Sequence, residues 1–362
     1  MSNDPIYVTK PFLPPIDEFK SYIDGIWDRH ALTNGGPLHK ELEDKLCDYL
    51  DVPYISLFNN CTIGLMSAFP VLGIKSGEVI TSPFTFVATA HAIKWCGLTP
   101  VFVDIDPETL NIDPTKIEAA ITPDTKAVMA VHCYGRPCDV DAIQALADKH
   151  GLKVIYDAAH IFGAEDNGGS LARHGDLAVL SFHATKVFNT FEGGAIICHD
   201  KDTKDTIDRF KNFGIVDDNR IDMIGLNGKM SEIHAAMGLA QLPHIDHAIL
   251  ERKRVYDLYH KLLVNVDGLR LPNFDGLARA NYAYFPIIVG DDYPLSRDKL
   301  ADKLRNHGIF TRKYFYPLIT DLKDYPSGDF PVAKGMANNI LCLPMYPDLG
   351  NDQIEAISNL LR

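Results

Sequence analysis

One loop of this chain carries a lysine between two apolar segments, in the run Ser181-Phe182-His183-Ala184-Thr185-Lys186, which is followed by Glu192-Gly193-Gly194-Ala195. The flanking segments, Leu177 to Phe182 and Ala195 to Cys198, have the composition of buried strands. A solvated loop lysine is the ordinary alternative. A loop between buried strands, however, holds its amine in one place, as imine formation with an aldehyde cofactor requires.

A second signal lies 29 residues upstream of Lys186, where the apolar run Lys153-Val154-Ile155-Tyr156 ends in Asp157. A buried parallel strand delivers a side chain at its carboxyl end in this way. Pyridoxal phosphate (PLP) needs such a carboxylate against its pyridine nitrogen, because the protonated ring is the better electron acceptor. A helix N-cap is the alternative for Asp157 alone. Together, Lys186 and Asp157 predict a PLP site.

Composition excludes several classes of protein. The chain has 362 residues, 46% of them hydrophobic, and a formal charge of 35 − 48 = −13. This acidic balance without a basic run argues against binding to nucleic acid. Residues 1–15 are polar and rich in proline, so we expect no signal peptide, no membrane span and a cytoplasmic location.

The seven cysteines are odd in number and scattered, which predicts reduced thiols. The nearest pair, Cys133 and Cys138, lacks the second pair that a zinc site needs, and we expect no metal.

From about residue 51 to residue 200 the chain alternates short apolar strands with amphipathic helices. Predicted strands lie at 54–58, 78–81, 100–104, 127–132 and 152–156, and predicted helices at 62–72, 87–96, 114–120 and 140–150. This alternation predicts an α/β fold with a large, mostly parallel sheet covered on both faces.

Beyond Met230 the periodicity becomes helical as far as about Leu263, typical of a connector helix. Strands at 282–289 and 309–316, with helices at 296–307 and 352–361, predict a smaller α+β domain. We therefore expect a large PLP-binding domain over 1–250 and a small domain over 251–362. The N-terminal segment is a candidate to pack on the small domain.

A phosphate site is predicted where a helix start offers free amides and hydroxyl groups. Asn59-Asn60-Cys61-Thr62 has this character, and Ser181 adds a hydroxyl from the lysine loop. The alternative for Thr62 is a simple N-cap. The run Pro83-Phe84-Thr85-Phe86 offers two aromatic rings, one of which would stack on the pyridine ring.

Together these runs resemble the DegT/StrS family of PLP-dependent nucleotide-sugar aminotransferases, over nearly the whole chain. The resemblance implies the aspartate aminotransferase-like fold, PLP fold type I. It is carried by the order and spacing of Gly35-Gly36-Pro37, Asn60-Cys61-Thr62, Pro83 to Phe86, His132 to Pro137, Asp157 to His160, Ser181 to Lys186 and Gly225 to Glu232.

The resemblance implies a role for each matching position. Lys186 would hold the cofactor and move protons, Asp157 would meet the ring nitrogen, and His160 would lie near the ring. The remaining cofactor contacts would come from Cys61, Thr62 and Ser181 at the phosphate and from Phe86 on the ring.

Further implied roles concern the partner subunit and the sugar. Asn227 would reach the cofactor of a neighbouring subunit, so a homodimer with shared active sites is expected. His183, Tyr314 and Tyr316 would contact the sugar. Two positions depart from the family's pattern: Cys61 replaces a smaller residue, and Lys229 replaces an arginine whose forked contact a lysine cannot reproduce.

The expected activity is transfer of an amino group from L-glutamate to C4 of dTDP-4-keto-6-deoxyglucose, for surface polysaccharides such as O-antigen. A C3-specific sugar aminotransferase is the alternative. A sugar dehydratase of the same fold is disfavoured because Lys186 is present where those relatives have histidine. A regulatory protein that binds PLP or sugar without catalysis is disfavoured by Lys186 and Asp157 together.

Overall fold

The computed structural model describes residues 4–274 and 276–362. Its strands are β1 (Ile6–Tyr7), β2 (Tyr54–Phe58), β3 (Glu78–Thr81), β4 (Thr99–Phe102), β5 (Thr125–Val131), β6 (Lys153–Asp157), β7 (Glu165–Asp166), β8 (Gly169–Ser170), β9 (Leu177–Ser181), β10 (Gly194–Cys198), β11 (Ile215–Asp217), β12 (Arg220–Ile221), β13 (Leu269–Arg270), β14 (Phe285–Val289), β15 (Ile309–Phe310) and β16 (Ile340–Leu343). Its helices are α1 (Ile16–Arg29), α2 (Pro37–Leu50), α3 (Cys61–Val71), α4 (Val87–Trp95), α5 (Pro114–Ala120), α6 (Val140–His150), α7 (Lys201–Phe210), α8 (Glu232–Gln241), α9 (Ile245–Leu263), α10 (Arg297–Asn306), α11 (Pro331–Asn339) and α12 (Asn351–Leu361).

The large sheet has seven strands in the order β2-β10-β9-β6-β5-β3-β4. Neighbouring strands are parallel except at β10, which runs antiparallel to both β2 and β9. The predicted mostly parallel sheet is therefore confirmed. The lysine loop connects β9 to β10 and thus lies where the chain reverses direction.

Both faces of this sheet are covered. Along β6, Val154 and Tyr156 belong to one buried cluster, whereas Ile155 between them belongs to another on the opposite face. This follows from the two-residue period of a strand. Helix α3 approaches one face so closely that a Cβ on Gly64 would lie 2.9 Å from a methyl group of Val179.

The predicted connector helix is divided in two. A 3-10 turn, Leu242–His244, separates α8 from α9, and it contains Pro243, which has no amide hydrogen for a continuous helix. The predicted strand at 309–316 is also shorter. It ends at Phe310, and beyond it only Arg312 bridges to Cys342.

A smaller antiparallel sheet follows in the order β13-β14-β16. It encloses its own buried cluster together with α9, α10 and α12. The N-terminal strand β1 pairs in parallel with β15, with Ile6 opposite Ile309. The N-terminal segment thus packs on the C-terminal part of the fold, and the boundary at residue 250 stays a prediction.

Two sequence motifs meet at the start of α2. The buried carboxylate of Glu232 accepts hydrogen bonds from the amides of Leu38 at 3.0 Å and His39 at 2.8 Å. A Cβ on Gly36 would lie 2.6 Å from the carboxyl carbon of Glu232. A side chain at position 36 would therefore displace the Glu232 carboxylate from these amides. Over the described ranges, no helix is both long and apolar enough to cross a membrane.

Candidate active site

A cavity of about 310 Å³ lies at the carboxyl ends of the parallel strands. It brings together most of the residues that the sequence predicted for the site, namely Cys61, Thr62, Phe86, Asp157, His160, Ser181, His183, Lys186 and Tyr314. The opposite wall comes from the C-terminal part of the chain and includes Tyr284, Arg312 and Phe315.

Lys186 points its amine into this cavity. Its Nζ donates a hydrogen bond to the hydroxyl of Tyr284 at 3.3 Å. Burial lowers the pKa of Lys186, although the negative charge of Asp157 opposes that shift. A lower pKa raises the fraction of neutral amine, which is the form that attacks an aldehyde or takes a proton. Lys186 is therefore not the solvated loop lysine of the alternative interpretation.

Asp157 lies at the end of β6 and is only 5% exposed. One carboxylate oxygen accepts from the Thr89 hydroxyl at 2.7 Å and the other from the amide of Ala159 at 3.2 Å. Burial raises the pKa of Asp157, and the hydrogen bonds from Thr89 and Ala159 and the charge of Lys186 offset that shift only in part. No helix begins after Asp157, so the N-cap alternative is wrong.

The predicted phosphate site is the first turn of α3. Asn60 caps this helix by accepting from the amide of Ile63 at 2.9 Å, so the N-cap is Asn60 and not Thr62. The amides of Cys61 and Thr62 therefore remain available to an anion at the positive end of the helix. Ser181 adds its hydroxyl to the same cavity.

Gly194 leaves room for this first turn. A Cβ at Gly194 would lie 2.7 Å from the amide nitrogen of Cys61. Any side chain there would push the helix start away from β10. Gly194 therefore keeps the predicted phosphate site open, a role that the sequence did not assign to it.

His160 is buried on the cavity wall. Its Nδ1 accepts from the amide of Tyr134 at 3.1 Å, which leaves the proton on Nε2. Burial and the nearby charge of Lys186 hold the pKa of His160 well below its usual value. His160 therefore offers a neutral N–H donor to a ligand.

Phe86 and His183 are exposed residues of the cavity. Phe86 is 51% exposed although it is a large aromatic side chain, and it directly precedes α4. An open aromatic face of this kind suits stacking against a ring. The Nε2 of His183 lies 3.7 Å from a carboxylate oxygen of Glu192, and its Nδ1 lies 2.9 Å from the hydroxyl of Thr185.

Two predicted residues do not line this cavity. The ring of Tyr316 lies against the guanidinium of Arg297, 5.0 Å from ring centroid to carbon. Asn227 is exposed and bridges to Asn212. Tyr314 does line the cavity, and its carbonyl accepts from the hydroxyl of Tyr134.

Two cavity residues, Tyr284 and Arg312, were not predicted from the sequence, nor was Thr89, whose buried hydroxyl contacts Asp157. Thr89 lies three residues after the run Pro83-Phe84-Thr85-Phe86, whose aromatic rings were the reason for quoting it. Arg312 is exposed, lies 5.0 Å from the Tyr314 ring, and has no ion-pair partner in the chain as described. Its backbone is fixed by reciprocal hydrogen bonds to Cys342 at 3.1 and 2.8 Å.

These residues fit PLP. Among the described residues the buried Asp157 carboxylate forms no ion pair, the start of α3 offers amides to a ligand, and Lys186 supplies an amine with a lowered pKa in the same cavity. A protonated ring nitrogen, a phosphate and an aldehyde are the groups that match them.

Comparison with known proteins supports the family resemblance found in the sequence. A sequence profile of the DegT/DnrJ/EryC1/StrS aminotransferase family matches residues 16–362. A protein of Shigella dysenteriae named dTDP-4-amino-4,6-dideoxy-D-glucose transaminase is 54% identical over 362 residues, covering 99% of this chain and 98% of the relative. An Escherichia coli protein of the same name is 48% identical, covering 100% and 99%. A crystal structure of DesI in the presence of its TDP-sugar product superposes with a TM-score of 0.95 at 36% identity, covering 99% and 92%.

Proposed function

Because this chain belongs to the DegT/DnrJ/EryC1/StrS aminotransferase family, whose members are PLP-dependent, we propose that it aminates C4 of dTDP-4-keto-6-deoxyglucose. The observation that carries the choice of substrate is the 54% identity, over nearly the full length of both chains, to a relative named for the aminated product. Replacing the 4-amino group of that product by a ketone gives the substrate. The amino donor is proposed to be L-glutamate.

Asp157, Cys61, Thr62 and Ser181 would hold the cofactor, as predicted from the sequence. When bound, PLP supplies an electron-accepting ring that stabilises negative charge on the substrate carbon. Asp157 supports that role because its unpaired, buried charge is offset by a protonated ring nitrogen. Phe86 offers its exposed face to the ring, and the Nε2 hydrogen of His160 is available as a donor.

Lys186 is the group that moves the proton. Transamination requires a base that takes a proton from one carbon and returns it to another. The Lys186 amine has a lowered pKa and is held by the Tyr284 hydroxyl at 3.3 Å, so it is both partly neutral and fixed in position. Tyr284 therefore helps to orient the reacting amine.

Arg312 is proposed to bind an anionic group of the substrates. Both the amino donor, through its carboxylates, and the nucleotide sugar, through its diphosphate, carry oxyanions that a guanidinium binds well. Arg312 lines the cavity without a carboxylate partner in the part of the chain that the structure describes. The neighbouring Tyr314 ring contacts the guanidinium without neutralising its charge.

A homodimer with shared sites is also proposed. Asn227 is exposed, and Ile224, three residues before it, is 96% exposed. The neighbouring hairpin β11–β12 adds Ile221, which is 69% exposed. Apolar side chains grouped in this way are typical of surfaces that another chain covers. A second copy of this chain is the partner that would bring Asn227 to the cofactor phosphate.

An assay of the purified enzyme tests the proposed activity. We expect L-glutamate with dTDP-4-keto-6-deoxyglucose to give 2-oxoglutarate and a 4-amino sugar whose position is read by NMR. UDP- and GDP-linked 4-keto sugars and a dTDP-3-keto sugar form the comparison panel. Turnover of the 3-keto sugar alone would establish the C3-specific alternative, and turnover of none would overturn the proposal.

Subunit mixing tests the shared site. Lys186→Ala and Asn227→Ala chains are each expected to be inactive or weak alone. A mixed dimer regains one complete site, so a 1:1 mixture should recover about a quarter of wild-type activity. A mixture with no more activity than the sum of its parts would place Asn227 outside the partner's site.

A further inference from the structure

Thr89 is a buried hydroxyl residue in contact with the carboxylate proposed to meet the cofactor. It is completely buried in the first turn of α4, and its Oγ1 lies 2.7 Å from Oδ2 of Asp157. The Oγ1 of Thr85, which is 3% exposed, lies 2.9 Å from that of Thr89. The side chains of Thr85, Thr89 and Asp157 therefore form a chain of hydrogen bonds from the cavity wall to the end of β6.

The charge of Asp157 fixes the direction of these hydrogen bonds. An ionised carboxylate only accepts, so the Thr89 hydroxyl must donate to it. That hydroxyl has one hydrogen, so the contact with Thr85 requires the Thr85 hydroxyl to be the donor. Because donors in series polarise one another, the second hydroxyl strengthens the bond that the first makes to Asp157.

We propose that Thr89, supported by Thr85, is a positioning residue that orients the Asp157 carboxylate toward the cofactor ring and keeps it ionised. This inference rests on the proposed role of Asp157. Neutral hydroxyls suit the task, because they hold the carboxylate without supplying the positive charge reserved for the ring nitrogen. An arginine or lysine at position 89 would neutralise Asp157 and compete with the cofactor.

The same segment links two contacts to the ring. Thr85 and Thr89 flank Phe86, which offers its exposed face to the cavity. The start of α4 therefore supports the aromatic group at the ring face and the carboxylate at the ring nitrogen together. Burial raises the pKa of Asp157, and the Thr89 hydroxyl acts against that shift.

Thr81 provides a matched control for a change from threonine to valine. It is completely buried, like Thr89, but its hydroxyl has no hydrogen-bond partner among the described residues. Valine has nearly the shape of threonine without the hydroxyl. Thr81→Val therefore reports the effect of the substitution itself, and Thr89→Val adds the loss of the bond to Asp157.

The test uses the full-length protein, with the cofactor removed and titrated back. We expect Thr89→Val to weaken PLP affinity about 10- to 100-fold, the effect of losing one hydrogen bond to a charged group. Its bound-cofactor absorption should also become dependent on pH in a range where the wild type is constant. Thr89→Ser should restore both properties, and Thr81→Val should match the wild type.

Asp157→Asn separates this inference from the proposed function. If Asp157→Asn leaves PLP affinity and absorption unchanged, the proposed role of Asp157 fails. If Asp157→Asn changes them and Thr89→Val does not, the positioning role of Thr89 is wrong. In the Asp157→Asn background, Thr89→Val should cost much less than in the wild type, and an equal cost would also overturn the proposal. Should Thr89→Val fail to fold, Thr85→Val gives the same comparison, with a smaller expected loss, and no loss in that variant would count against the proposal.

Discussion

The amine of Lys186 lies 3.3 Å from the hydroxyl of Tyr284, although 98 residues separate them in the sequence. Tyr284 directly precedes β14 in the C-terminal part of the chain, and Lys186 lies on the loop after β9. The loop after β9 thus carries the reacting amine, and Tyr284 from the C-terminal part of the fold holds it in position.

Loss of the amine should abolish turnover. We expect Lys186→Ala to lower kcat on the order of 1,000-fold or more, because both cofactor attachment and proton transfer depend on Nζ. Borohydride treatment of the holoenzyme followed by peptide mass spectrometry should label Lys186 in the wild type and label no peptide in the variant. Lys75→Ala, at an exposed lysine, is the control. Appreciable turnover by Lys186→Ala would contradict the assignment.

Crowding at Gly194 should disturb the phosphate site. An alanine Cβ would stand 2.7 Å from the amide of Cys61, so Gly194→Ala should weaken PLP affinity and destabilise the protein by about 1–3 kcal/mol. Gly335→Ala is the matched control, because Gly335 lies within α11 with open space around its Cα. That control should stabilise the protein by roughly 0.5–1 kcal/mol. Fluorescence titration of PLP would contradict the prediction if both variants bound it equally well.

Removal of the guanidinium at Arg312 should impair substrate binding. Arg312→Met keeps much of the side-chain length and should raise KM about 10-fold or more, with a smaller change in kcat. Arg312→Lys should recover part of the loss. Single-turnover measurements of each half-reaction show whether the amino acid or the nucleotide sugar is affected. Unchanged kinetics in both half-reactions would exclude an anion-binding role.

Acid should destabilise the protein through His132. Burial lowers the pKa of His132 from 6.5 to about 3, and its ring stacks on Tyr156 at 4.5 Å. The pKa is lowered only in the folded state. As the pH falls, this histidine is therefore protonated first in the unfolded state. Its contribution to stability is therefore complete above pH 6.5 and is lost as pH falls toward about 3, at up to about 1.4 kcal/mol per pH unit.

Urea unfolding of the cofactor-free protein between pH 5 and pH 8 measures this contribution. His132→Asn retains an acceptor for the amide of Cys138, which lies 3.0 Å from Nδ1. The variant should show a shallower dependence of stability on pH than the wild type. Identical slopes would mean that other groups, such as His160, carry the acid sensitivity.

The sequence predicted the groups that stand at strand ends, because each depends on a local pattern. Asp157 and Lys186 follow apolar runs that are recognisable without the rest of the fold. Tyr284 and Arg312 could not be placed, since they reach the cavity from a different part of the chain. The sequence did not identify Asn60 as the N-cap of α3, because both Asn60 and Thr62 are residue types that suit this position. Only the backbone conformation distinguishes them.

The pairing of β1 with β15 makes the smaller part of the molecule discontinuous in sequence. A cut near residue 250 would leave Ile309 without the strand that covers it, because that strand comes from residues 6–7. Exchange of this part between related genes would therefore need two crossovers, one at each end of the large sheet's sequence. A single crossover would combine the small sheet of one protein with the N-terminal strand of a different protein.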